Sequence, residues 1–148
     1  MEIEIQESRM NKRFRVLSKT LCIYMISVGL FIVIIQLMLN NLFLAVSGVL
    51  VTAIGFYNKK RIARITTIKD KSLVLLVEKR KIELNKEDIL SISRWVQITF
   101  TQWFSIKISL KERKFGIVKS YIVGNEPNCN FLGEFSRLGI RLKNIPNN

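Results

Sequence analysis

Residues 21–39, LCIYMISVGLFIVIIQLML, and residues 42–57, LFLAVSGVLVTAIGFY, decide how this chain is organised. The first run contains only Ser27, Gly29 and Gln36 as non-apolar residues. With Thr20 it makes a helix of roughly 30 Å at about 1.5 Å per residue, which matches the hydrocarbon core of a bilayer. The second run reaches roughly 24 Å on the same arithmetic. A span built from it must draw on flanking residues, thin the bilayer or be partly re-entrant. Asn40-Asn41 joins the two, and no charged residue occurs from position 20 to position 58. The economical reading is a transmembrane hairpin over 20–58, with helices at 20–39 and 42–57.

Its direction follows from the flanks. Lys12, Arg13, Arg15 and Lys19 precede the first run, Lys59, Lys60, Arg61 and Arg64 follow the second, and the connecting turn is uncharged. The positive-inside rule therefore places both ends in the cytoplasm, at the inner face of the plasma membrane. A secretory signal peptide fits less well, because its apolar region usually runs only ~7–15 residues. Gly48, Thr52 and Gly55 fall on one face of the second helix, a small-residue surface on which the first helix can pack closely. Gln36 and Asn40 lie one turn apart near the tip, where they are expected to hydrogen-bond each other, the turn or headgroup water rather than line an ion path.

The 148 residues include 24 Lys and Arg against 11 Asp and Glu, a net charge of +13, and all of these lie outside the hairpin. The chain has no His, only two Asp and two Cys, which removes the commonest general base and most metal-ligand sets. Cys22 lies in the apolar stretch and Cys129 in a late loop, so no CxxC pair exists; two free thiols suit a reducing compartment. Neither a P-loop, a GxSxG, an HExxH nor a Gly-rich dinucleotide turn is present. Glu87-Asp88 reads as a solvated turn, and Ser91 and Ser93 as the polar side of a strand. No catalytic residue, metal or cofactor is expected, and the chain is read as a non-enzyme.

Beyond Lys69-Asp70-Lys71 the pattern changes to alternation, the signature of strands. Residues 1–19 form a cytoplasmic segment, 59–71 a basic junction and 72–148 a β domain. Ser72–Val77 (SLVLLV) reads as a buried strand, followed by a turn at Glu78-Lys79-Arg80 and a half-solvated strand at 81–84. From Leu90 the apolar residues fall at even positions, Leu90, Ile92, Val96, Ile98 and Phe100, with Arg94 breaking that face. Phe104, Ile106, Ile108 and Leu110 repeat the alternation, and Phe115, Ile117, Tyr121 and Val123 carry it into a fifth strand. Asn130 is placed to cap a short helix with apolar positions Phe131, Leu132, Phe135 and Leu138, which would cover the greasy face of the sheet. The expected class is thus α+β: a two-helix membrane hairpin, then a small antiparallel β barrel or meander with a C-terminal capping helix.

This order of parts resembles the bacterial membrane-anchored pleckstrin-homology-like (PH-like) proteins. The residues that carry the resemblance are Ser72–Val77, the segment 87–92 (EDILSI), 104–110 and the helix over 131–138. It implies a bent β barrel of seven strands capped by one helix. To reach that number, either residues 64–68 supply a strand and the run 89–100 bends into two, or the barrel is incomplete.

The basic excess beside the inner leaflet points to anionic headgroups as a partner, each nearby cation contributing about 1 kcal/mol. Lys59, Lys60, Arg61 and Arg64 are the best placed for such contact. The segment 95–104 (WVQITFTQWF) holds both tryptophans, and Trp95, Trp103 and Phe104 are candidates for contact with lipid or with a partner protein, Trp103 being expected at an exposed turn. Nucleic acid is disfavoured because no base-reading motif accompanies the charge. The function expected is a basic PH-like module that binds lipid or protein at the inner leaflet. The alternative is an accessory or assembly subunit of a larger membrane protein complex. Besides lipid, a homo-oligomer or a membrane protein partner is open to the chain.

Overall fold

A computed structural model describes residues 2–97, 104–112, 118–126 and 131–143. The chain forms two compact units, Val16–Lys60 and a second made of Met1–Arg15 with Arg61–Asn148.

Two helices, α1 (Arg9–Met38) and α2 (Leu42–Arg61), contain the apolar runs, and both are long and apolar enough to cross a membrane. The turn between them uses each Asn differently. Asn40 takes the left-handed conformation (φ 54°), which Asn tolerates better than most residues, and closes α1 as its amide donates to Leu37 O at 3.1 Å. Asn41 opens α2, its Oδ1 accepting from the Leu44 amide at 3.2 Å, while its own amide donates to Gln36 O at 2.8 Å. Within this unit the helices approach through glycine. A Cβ on Gly48 would stand 2.7 Å from Gly29 O, and one on Gly55 would stand 2.8 Å from Ile26 Cγ1. Thr52 packs on Gly29 and turns its hydroxyl back to Gly48 O at 2.9 Å. The remaining faces are apolar and uncovered, with Phe31, Ile34, Leu37, Phe43, Val46 and Leu50 all exposed.

The other unit contains two four-stranded sheets. The first runs β1 (Ile3–Glu4), β2 (Ala63–Ile68), β3 (Ser72–Val77) and β4 (Arg80–Asn85), antiparallel throughout. The second is ordered β7 (Ser120–Gly124), β6 (Phe104–Leu110), β5 (Ile89–Gln97) and β8 (Leu142–Lys143), antiparallel except for the β5–β8 pair. A parallel bridge between Ile62 and Ile122 links them beside β2 and β7. Alternation in β2, β6 and β7 sends Ile65, Ile68, Ile106, Ile108, Tyr121 and Val123 into one core with Leu73, Leu75 and Leu84. The helix α3 (Phe131–Arg137) adds Phe131 and Phe135, stacked 5.6 Å apart, and Leu138 follows them into the core. Gly139 (φ 69°) then ends the helix, the Ile140 amide reaching back to Phe135 O at 3.1 Å, and returns the chain to β5.

Several expectations need correction. Among the described residues no closed barrel forms; the strands make two open sheets, with short end strands β1 and β8 contributed by residues that the sequence pattern did not mark. Residues 64–68 do supply a strand, β2, but 89–97 is one strand with two register shifts rather than two strands. The start of β5 also departs from the expected apolar face, although Ile92 is buried as expected. Ile89 pairs with Leu110 and Ser91 with Ser109, so Leu90 is a bulge residue and points out at 52% exposure, while Ile89 and Ser91 are buried. Ile98, Phe100, Phe115, Ile117, Asn130 and Cys129, together with the side chains of Val96 and Leu132, lie outside what is described.

Candidate interfacial site

The second register shift in β5 creates the most distinctive surface feature of the β unit. Arg94 pairs with Ile106 and Val96 with Ser105, leaving Trp95 as the inserted residue. Trp95 is 48% exposed, and its ring is flanked by two cations. The Arg61 guanidinium carbon lies 5.5 Å from the ring centroid and Lys107 Nζ lies 5.1 Å from it, both within cation–π range. Arg61 is itself held in place, buried with its Nε donating to Ser120 O at 3.3 Å. Arg94, paired with buried Ile106, makes a separate contact, its guanidinium carbon standing 4.8 Å from the Phe104 ring centroid. The site thus combines one large amphipathic ring with two cations, Arg61 from the end of α2 and Lys107 from β6.

A second charged cluster ties the first residues of the chain to the sheets. β1 lies along β2, and the bulge at Thr66 leaves its carbonyl to accept the Ile5 amide at 2.9 Å. Glu7 receives a bidentate pair from Arg15 (2.8 and 2.9 Å) and a longer contact from Arg64 at 3.6 Å, while Arg64 Nη2 donates to Ile5 O at 3.0 Å. Ser8 caps α1, its Oγ accepting from the Asn11 amide at 3.2 Å. Glu126, only 3% exposed, accepts the Ser8 amide at 2.9 Å, so a buried carboxylate faces the positive end of that helix. Asn11 Nδ2 donates to Gly124 O at 3.0 Å and completes the joint. The cavity among Glu7, Asn11, Arg64 and Glu126 measures about 10 Å³, room for one water rather than a substrate.

The sequence-derived candidates separate accordingly. Arg61 and Trp95 come together, whereas the Phe104 ring lies against Arg94. Arg64 is turned to Glu7 and Ile5 rather than outward. Lys59 is half-buried and Lys60 exposed in the helical unit. Trp103, expected to be the exposed indole, lies outside the described residues. Lys107 was not singled out, although its place in the alternation of β6, between buried Ile106 and Ile108, marked it as outward-facing. Glu7, Arg15 and Glu126 form contacts that bridge more than a hundred residues in part, and no local spacing signals them. Glu87 and Asp88 sit in a short 3-10 turn, Lys86–Asp88, with Asp88 Oδ2 accepting the Asn85 amide at 3.0 Å. Among the described residues no group of three or more acidic, Cys or His side chains is arranged to hold a metal ion.

No protein-family model matches the chain, and no curated protein matches it.

Proposed function

We propose that this chain is an integral membrane protein with two spans and both termini in the cytoplasm, presenting a PH-like β unit at the inner leaflet as a lipid- or protein-interaction module rather than a catalyst. The observation that carries the reading is the pair of helices whose outer faces are apolar and uncovered, with a charge-free tip and basic residues at both outer ends. Exposed rows of Phe, Ile and Leu are costly in water and favourable in hydrocarbon, and the Lys and Arg flanks orient the hairpin. The hairpin, basic junction, antiparallel strands and closing helix support placing the chain beside PH-like membrane proteins. The exposed Trp95 with its cations gives the β unit a surface suited to interaction.

Expression of the tagged full-length chain, alkaline carbonate washing of membranes, gentle detergent extraction and mass spectrometry of the purified species test this reading. It predicts retention in washed membranes and a lone monomer or homo-oligomer after extraction. Release by carbonate contradicts the spans. A reproducible heterologous partner replaces the self-contained module with the assembly-subunit reading.

A further inference from the structure

We propose that Trp95, held between Arg61 and Lys107, is a headgroup anchor that seats the β unit on an anionic leaflet; this rests on the reading that residues 42–57 span the bilayer. Three independent features converge on it. The first is the bulge, which turns a large ring outward at 48% exposure from a strand that buries Ile92 wholly. An indole combines an apolar body with an N–H that seeks a polar partner, which is why Trp concentrates at the membrane–water boundary. The second is charge: Lys107 and Arg61 both lie within cation–π range of the ring, so an anionic surface is the complementary partner.

The third is the position of Arg61 in the chain. Tyr57 is the last apolar residue of the second run, and Arg61 follows it by four positions. A residue so close in sequence to the end of a span stays near headgroup depth, and Trp95 packs directly on it. Arg61, buried and bonded to Ser120 O, fixes the inner side of the ring, while Lys107 is left to meet phosphate. The juxtaposition therefore assigns Lys107 the headgroup contact, Trp95 the interfacial insertion and Arg61 the support.

Tryptophan fluorescence of the full-length protein tests this. The chain has two tryptophans, so Trp103→Phe leaves Trp95 as the sole reporter. The protein is reconstituted into phosphatidylcholine vesicles containing phosphatidylglycerol, with bromine placed near the top of the acyl chains of one lipid or the other. Quenching of roughly twofold is expected, stronger when the anionic lipid carries the bromine, with the preference reduced by Lys107→Gln. Circular dichroism checks that each variant keeps its fold. Absence of quenching by either lipid, in protein that carbonate washing does not release, overturns the anchor and leaves the spans standing. Release by carbonate overturns the spans themselves. Equal quenching by both lipids, unchanged in Lys107→Gln, overturns the anionic preference.

Discussion

Glu7 and Arg15 are joined by two parallel hydrogen bonds, 2.8 and 2.9 Å long, and the same carboxylate lies 3.6 Å from Arg64. One acidic side chain thereby holds a residue of α1 and a residue of β2 to the first segment of the chain. Glu7 is the centre of this group, so its loss leaves two partly buried guanidiniums facing each other. Glu7→Ala is expected to destabilise the β unit by about 1–3 kcal/mol, less than a fully buried pair would lose because both arginines keep about a quarter of their exposure. Arg15→Ala should cost less, since Glu7 retains Arg64. Denaturant unfolding and proteolysis of the amino-terminal segment measure both, and a Glu7/Arg15 double-mutant cycle isolates their coupling.

The hairpin depends on close backbone approach at Gly29 and Gly48. Gly48→Leu should separate the helices, because even a Cβ there meets Gly29 O at 2.7 Å. Ala53→Leu, on an exposed face of α2, should change little. Cross-linking between cysteines placed on the two helices reads the difference. Equal cross-linking in both variants means that the helices are not packed through glycine.

The bulges make opposite demands on adjacent residues. Ile89 is buried, so Ile89→Ala should cost about 2–4 kcal/mol, whereas Leu90→Ser should fall within about 0.5 kcal/mol of the parent. Thermal unfolding of both variants distinguishes this register from the simple alternation, which predicts the reverse.

That reversal shows where the sequence was readable. Continuous apolarity named both helices and β3, alternation named β6, and helical spacing named the apolar face of α3, because burial leaves its mark in each. A bulge inserts one residue and shifts the phase without altering composition, so the outward turn of Leu90 could not be placed from the pattern. β1 and β8 are two-residue strands recruited by edges of existing sheets, too short to carry a period. Trp95, Arg61 and Phe104 were legible as candidates from residue type. The company of Lys107 and the diversion of Arg64 to Glu7 depend on tertiary pairing that no spacing encodes.

Acid should act on the first sheet through Glu83. The Ser72 hydroxyl donates to its carboxylate at 2.6 Å and Lys69 Nζ at 3.2 Å, and these bonds, the Ser72 one foremost, hold Glu83 below its ordinary value of 4.5. A carboxylate lowered on folding stabilises the folded state above its unfolded value. That contribution is lost as pH falls below about 4.5 and through the lowered folded value. Ser72→Ala should flatten this acid limb and leave stability near neutrality little dependent on pH. Unfolding midpoints followed across the acid range check it, and an unchanged acid limb in the variant contradicts the role given to Ser72.

The most direct test of the account as a whole is the sidedness of the hairpin tip. In a chain carrying Cys22→Ser and Cys129→Ser, a cysteine introduced as Asn40→Cys should react with a membrane-impermeant maleimide added to intact cells, while one at Lys111→Cys should react only after the membrane is opened. That pattern is the result expected of two spans with both ends inside. Labelling of Lys111→Cys from outside, or protection of Asn40→Cys until permeabilisation, contradicts it.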